Sequence, residues 1–294
     1  MSNLATGTPE AYPAIDKHAS QLRIFYKKLS RNRAALIGGY LILLLIIISI
    51  VAPFFTVYDP VLVDYDTKLL SPSSTHWLGT DHNGRDIFTR LIHGMHITLY
   101  IGFLSVFFGM LVGIPMGIIA GYYGKIVDTV LMRFIDILLA FPGILLAIAL
   151  VSVLGGSINN VIIAVGVFSV PGFARVVRGS TLAVKKLEYI DAIRALGASD
   201  GRIIFLHILP NIISPIIVQA TVRIAYSILI ASALSFLGLG AQPPTPEWGA
   251  MLSAGRSYMF DHPHVAFFPG LAIMIVVLAF NIFGDGIRDA FDPR

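Results

Sequence analysis

The chain of 294 residues is 56% hydrophobic and only 13% charged, with a mean hydropathy of +0.79 and a formal net charge of +4. Soluble domains carry about 25% charged residues, so this chain has too little polar surface to coat a globule, and it has no basic patch with interleaved aromatics to suit nucleic acid. The absence of cysteine excludes disulfides, thiol catalysis and Cys-ligated metal sites.

Residues 1–33 are polar and then basic, with Arg23, Lys27, Lys28, Arg31 and Arg33 directly before the first apolar run. Residues 34–58 carry no charge. That run is too long for the apolar part of a cleaved signal peptide, about 7–15 residues, and long enough for a helix crossing a bilayer, about 20 residues. It predicts a retained first transmembrane helix over 34–58, behind a cytoplasmic segment 1–33.

Residues 59–96 read as an extracytoplasmic segment rich in turn formers, Asp59-Pro60 and Ser71-Pro72-Ser73-Ser74. Ile87, Leu91 and Ile92 predict a short helix from about Gly84 leading into the membrane. His76, His82, His93 and His96 are irregularly spaced, and just His93 and His96 share a helix face, so no metal site is expected. Residues 97–124 form the second span. Its Gly102, Gly109, Gly113, Gly117 and Gly121 recur mostly every four residues, a seam of small residues suited to close helix packing. Asp128, Arg133 and Asp136 come next, and Arg133 is expected to neutralise one of the two carboxylates. Residues 137–174 are uncharged but too long for one helix. The break Gly155 to Asn160 divides them into spans three and four, with Pro142 and Pro171 kinking or starting helices.

A polar interruption then holds six basic residues between Arg175 and Arg202. Leu187, Ile190, Ile193 and Leu196 recur every three residues and predict one apolar stripe on a short amphipathic helix. Glu188, Asp191 and Arg194 fall on other faces, while Ala192 and Ala195 leave little side-chain bulk. Gly197 suits a left-handed helix stop, and Ser199 and Asp200 can cap a second helix. The pattern reads as helix, tight turn, helix. Span five covers about 208–239 and contains Arg223. Gly240 to Gly249, with three prolines, reads as a stiff outer loop. Span six covers 265–284, within a core of 97–287, and a short tail of 288–294 closes the chain.

Lysine and arginine test this topology. Sixteen of the 21 fall on the side of the two termini and the polar interruption. Lys68, Arg85, Arg90 and Arg256 fall on the other side, and Arg223 lies within a span. By the positive-inside rule, both termini and residues 185–200 are cytoplasmic.

Sequences that carry chemistry are missing. There is no Gly-x4-Gly-Lys-Ser/Thr loop, no Gly-x-Ser-x-Gly elbow and no His-Glu-x-x-His helix. Arg223 stands alone. It lies 13 residues beyond Pro210, roughly 20 Å along a helix. A mid-membrane arginine is expensive unless it faces water or a partner, which makes it a candidate for the translocation path. A plain interface arginine, bonded to carbonyls or an acid, is the other reading.

Asp191-Ala192-Ile193, Gly197 and Leu209-Pro210 resemble the EAA loop of permease subunits in bacterial binding-protein-dependent ABC importers. That pattern is Glu-Ala-Ala, three residues, Gly, nine residues, then Ile-x-Leu-Pro. The departures are Asp191 for the acid, Ile193 for the second alanine and His207 for isoleucine. The stretches HWLGTDHNGRDIFTRL, GYYGKIVDTVLMRFIDILLAFPGILLAI, SFLGLGAQPPTPEWGAML and FGDGIRDAFDP resemble the second permease of the dipeptide/oligopeptide/nickel importers, closest to its dipeptide and glutathione branches. The similarity runs from about Arg23 to the carboxyl end.

This resemblance implies an all-α polytopic protein of the type I ABC importer permease fold, with six transmembrane helices and a coupling helix at about 185–200. It implies a location in the bacterial inner membrane, a heterodimer with a homologous permease, two cytoplasmic ATPases and an extracytoplasmic substrate-binding protein. ATP and Mg would be bound by the ATPases, with no cofactor and no bond chemistry in this chain. Glu188, Asp191, Ala192, Ile193, Arg194, Gly197, Leu209 and Pro210 would form the ATPase-coupling site, with Ile190 and Ile193 filling a pocket of the ATPase. Di- and oligopeptides or glutathione are the expected solutes, and nickel or a metal chelate is the alternative. An ion-coupled secondary transporter fits less well, because inverted repeats and intramembrane carboxylates are lacking. A structural or sensory membrane protein using the same helix as a dock is the remaining class.

Overall fold

The computed structural model describes residues 32–291. The expected cytoplasmic segment 1–33 falls almost entirely outside them, as does the end of the tail. The described residues fold into ten α-helices and short 3₁₀ and π turns. Helix α1, Arg33–Val51, starts where the Asn32 side chain accepts a hydrogen bond from the Ala35 N–H at 3.1 Å. It passes into a 3₁₀ turn, Ala52–Phe54, and ends there, short of the expected Tyr58. Pro53 offers no N–H to continue the helix.

Helix α2 is Ile87–Tyr123, 37 residues. It joins what the sequence divided into an outer helix and a second span. At 1.5 Å per residue it is roughly 55 Å long, well beyond a hydrocarbon core of about 30 Å. Helix α3, Lys125–Ala140, comes after Gly124, whose φ of +66° makes the turn. Helix α4 is Gly143–Leu154, set at 89° to α3. The residues expected to form the third span are therefore a bent pair of helices starting at Lys125, not one helix confined to the uncharged run. Phe141 is extended, as a residue before proline prefers, and Pro142 lacks the N–H that would carry α3 onward.

Helix α5 is Ile158–Lys185, with Ser157 as its cap. The short α6, Glu188–Ala195, and α7, Asp200–Ile203, lead through a π turn, Ile204–Ile208, into α8, Leu209–Phe236. Helix α9, Trp248–Gly255, begins inside the expected loop 240–249, and α10, His264–Phe291, overruns the expected span 265–284 into the tail. Among the described residues, five helical stretches are long and apolar enough to cross a membrane, or six if the bent α3–α4 pair is one crossing.

The glycine seam of α2 lies along α5. An ideal Cβ on Gly109 would come within 2.7 Å of the Ser169 Cβ, and one on Gly121 within 2.8 Å of the Thr181 Cβ. Helix α10 packs on α1 and α8. The main core gathers Phe173, Ile228, Trp248, Val276 and Ala279 between α5, α8, α9 and α10. Asp128 and Asp136 of α3 are paired, but with α5 instead of Arg133. Arg178 bonds Asp128 at 2.5 and 2.6 Å, and Arg175 bonds Asp136 at 2.7 Å. Arg133 lies about one helical turn from each acid on α3 itself, whereas the α5 arginines reach across and tie two helices together.

The end of the molecule remote from α6 holds a buried polar knot. Asp86 caps α2 at the Thr89 N–H, 2.8 Å, and meets His76 Nδ1 at 3.0 Å. Asp81 bonds Arg85 Nε at 2.8 Å and has Arg90 Nε at 3.6 Å, while Arg90 Nη1 donates to the carbonyls of Pro60 and Pro244. All four of these charged residues are buried. Nearby, the fully buried Glu247 caps α9 with both oxygens, at 3.0 Å to Gly249 N–H and 2.9 Å to Ala250 N–H. These bonds fold 59–86 onto the start of α2 and explain why that helix can project past the membrane thickness.

Candidate functional site

The amphipathic helix predicted from 185–200 is α6, and the turn after it is built as the sequence suggests. Gly197 has φ +85°. Its N–H donates to the Arg194 carbonyl at 3.0 Å, and the Ala198 N–H reaches the Ile193 carbonyl at 3.3 Å. These two bonds are a Schellman stop, which needs a left-handed residue at this position. Ser199 then caps α7 by accepting from the Arg202 N–H at 3.5 Å.

The apolar stripe divides. Ile190 is 0% exposed and packs with Ile118, Val177, Ile203 and Ile212 of the chain's own core, with half-buried Ile193 against the same cluster. The expectation that Ile190 fills a partner's pocket is therefore wrong: it is already buried beneath the knob. Leu187, at 47% exposed, and Leu196, at 87%, project instead, together with Phe205 and Leu206 just before α8. Helix repeats of three drift around a 3.6-residue turn, so the two ends of the stripe leave the face that its middle shares. Glu188, Asp191, Ala192 and Arg194 lie toward the surface, and Arg194 bonds Asp191 at 3.1 Å.

Leu209 and Pro210 close the same unit. The π turn lets the Leu209 N–H reach the Ile204 carbonyl, five residues back, immediately before Pro210, which has no N–H to give. Asn211 then donates to the His207 carbonyl at 2.6 Å and to the Tyr189 hydroxyl at 3.2 Å, tying α6 to the start of α8. The spacing from Asp191 through Gly197 to Pro210 is thus one folded object. Among the candidates, Arg223 alone lies elsewhere.

Arg223 sits at the middle of α8, half-buried. Its guanidinium lies over Gly172 of α5, where an ideal Cβ would come within 2.2 Å of Nη2, and 5.9 Å from the Phe168 ring centre. Among the described residues, no carboxylate lies within 4.0 Å of it. Its contacts among the described residues are the Gly172 backbone and the Phe168 face, a setting open to either reading of this arginine.

At the knot end, a cleft of about 610 Å³ is lined by His96, Tyr100, Asn159 and Gln242. A smaller cavity of about 110 Å³ lies behind Pro243 and Thr245, against His82, Arg85 and Arg90. Neither carries a local signal in the amino-acid order, since their walls come from separate segments. The four histidines considered for metal do not converge. His76 serves Asp86, His93 faces the Thr56 hydroxyl at 3.2 Å, and His82 stacks on Tyr258.

Residues 113–294 match the family described as the binding-protein-dependent transport system inner membrane component, and residues 20–72 match the N-terminal transmembrane domain of oligopeptide transport permease C. The chain belongs to this permease family. It is 52% identical over 273 residues to the glutathione transport system permease protein GsiD of Pectobacterium atrosepticum, covering 92% of this chain and 91% of that one. It is 46% identical to the dipeptide transport system permease protein DppC of Alkalihalophilus pseudofirmus, over 99% and 96% of the two chains. Among solved structures, an inward-facing MetNI methionine ABC transporter matches with TM-score 0.57 and 22% identity, covering 69% of this chain and 97% of that one. At that identity the match speaks to fold alone, and the fold is that of a type I importer permease. The permease is accordingly a multi-pass inner membrane transport component.

Proposed function

We propose that this permease forms the membrane pathway of an ATP-driven importer of di- or oligopeptides, or of glutathione. A homologous permease would complete the pathway, two cytoplasmic ATPases holding ATP and Mg would drive it, and an extracytoplasmic protein would deliver the solute. In this reading residues 1–33 and 288–294 are cytoplasmic and 59–96 extracytoplasmic, so the knob faces the ATPases and the 610 Å³ cleft faces the incoming solute. The observation that carries the proposal is the exposed knob: Leu196 stands 87% exposed beside the Schellman stop, at the end of a helix that also exposes Glu188, Asp191 and Arg194. An apolar plug with a charged rim is what a docking cleft takes up. Leu187 and Leu196, and not Ile190, would be the inserted groups.

Arg223 is assigned to the pathway, where an unpaired guanidinium at mid-helix would attract the carboxylate shared by peptides and glutathione. The relatives named for glutathione and dipeptides give the nickel alternative no support. The test is uptake by the reconstituted importer, in vesicles containing this chain, the companion permease, the ATPases and the binding protein. ATP-dependent accumulation of glutathione or of dialanine is expected. Accumulation that persists without ATP under an ion gradient would refute the reading.

A further inference from the structure

The short α6 is joined to the rest of the chain by brief non-helical links, Lys186–Leu187 on one side and Leu196–Ser199 on the other. Links of that kind would let a displaced α6 swivel without moving a transmembrane helix. Burial of Ile190 and the Asn211–Tyr189 bond oppose this, and most of the remaining contacts gather on one residue. We propose that Tyr122, the penultimate residue of α2, is a positioning residue that latches the knob to α2, so that a displacement of α6 is passed to α2 and α5 together. The proposal rests on the coupling role given to α6 above.

Three residues converge on Tyr122. Its hydroxyl donates to Asp200 Oδ1 of α7 at 2.6 Å. Its backbone carbonyl, at the helix end where no intrahelical partner exists, accepts from Lys185 Nζ at the end of α5. The Arg194 guanidinium of α6 lies 5.8 Å from its ring centre, and the Lys185 ammonium lies 5.5 Å from it. The residue is 4% exposed and belongs to the same cluster as Ile190 and Ile203. The end of α5, α6 and the start of α7 are therefore fastened to one residue of α2. Its neighbour Tyr123 points outward, 48% exposed, and supplies a control.

Phenylalanine at 122 would keep the ring in the core and remove the hydroxyl that donates to Asp200 and interacts with Arg194. A hydrogen bond to a charged group holds a two-state element by about tenfold or more in its equilibrium. The native chain has no cysteine, so spin labels can be placed at Lys125→Cys and Gly201→Cys, one exposed site beside α2 and one on α7 with open space around it. In the assembled importer the wild-type pair should give one narrow distance, with and without ATP. Tyr122→Phe should broaden it and raise the ATP hydrolysed per solute imported by about tenfold. Asp200→Ala should do the same, with no further effect in combination, and Tyr123→Phe should change neither readout. A distribution as narrow in Tyr122→Phe as in wild type overturns the latch, and this arm needs no knowledge of the solute. A broadened distribution with an unchanged ratio of ATP to solute, tried with glutathione and dialanine, overturns its role in transmission. Failure of the coupling role itself would appear separately, as normal ATPase binding by Gly197→Val.

Discussion

Gly197→Val isolates the backbone of the knob from its surface. No heavy atom lies within 4 Å of an ideal Cβ at this position, so a larger side chain meets nothing. The penalty is internal: an L-residue held at φ +85° loses about 1–2 kcal/mol, and a β-branched one more. The chain can meet that by strain, or by abandoning the two Schellman bonds of 3.0 and 3.3 Å and letting Leu196 swing away from its rim. Either way the competent knob falls in population by about 5- to 30-fold, with ATPase affinity falling in proportion. The transmembrane core, remote from Gly197, should keep its melting temperature in detergent. Titrating the ATPases onto nanodisc-embedded protein measures the loss, and Gly197→Asn, which tolerates the left-handed region, should recover most of it. Equal affinity for valine and glycine, or asparagine as poor as valine, would refute the reasoning.

Arg223→Gln should reduce uptake of anionic peptides and glutathione while leaving membrane insertion and ATPase binding intact, as measured by parallel uptake and co-purification. Gly172→Ala tests the same site from α5: its methyl group displaces the guanidinium end, and uptake should change with little change in stability. Arg90→Ala leaves two buried carbonyls and part of Asp81 without a partner, and should destabilise the chain by about 3 kcal/mol in thermal unfolding. Burial pushes the Glu247 carboxyl up from its usual 4.5, against the pull of the N–H groups of Gly249 and Ala250. A raised folded value means that its contribution is complete below about pH 4.5 and is lost as pH climbs through the folded value. Glu247→Gln should flatten that part of the stability profile, and a slope identical to wild type would contradict the assignment.

The class and the knob were legible because their determinants are local. Uncharged runs mark membrane helices by length alone, and Gly197 with Ser199 writes a stop and a cap within three residues. The seam of α2 was equally plain, since one residue type repeats at helical spacing. The hidden features depend on partners far along the chain. Arg133 was the obvious neighbour for Asp128 and Asp136, but Arg175 and Arg178 reach them across the α3–α5 contact. Ile190 looked like a docking residue because periodicity reports a shared face and not which body covers it. The 89° break at Pro142 lies inside an uninterrupted apolar run, where hydropathy is blind to direction. The buried knot of Asp81, Arg85, Asp86 and Arg90 read as part of a turn-rich outer segment, because its burial comes from α9 and the Pro243–Pro244 turn.

The contact between α2 and α5 also fixes a pattern of mutational tolerance. At Gly109, Gly113, Gly117 and Gly121 the nearest atoms to an added methyl lie 2.6–2.8 Å away, and they are Cβ or main-chain atoms that cannot rotate aside. Gly124, one step further on, has open space around it. A saturation scan from Gly109 to Gly121 should therefore return four intolerant glycines, one per turn, at which alanine is nearly as damaging as leucine. Exposed positions between them, Leu111, Val112 and Ile119, should accept most apolar residues. Such a ladder of forbidden methyl groups would be visible in growth data alone.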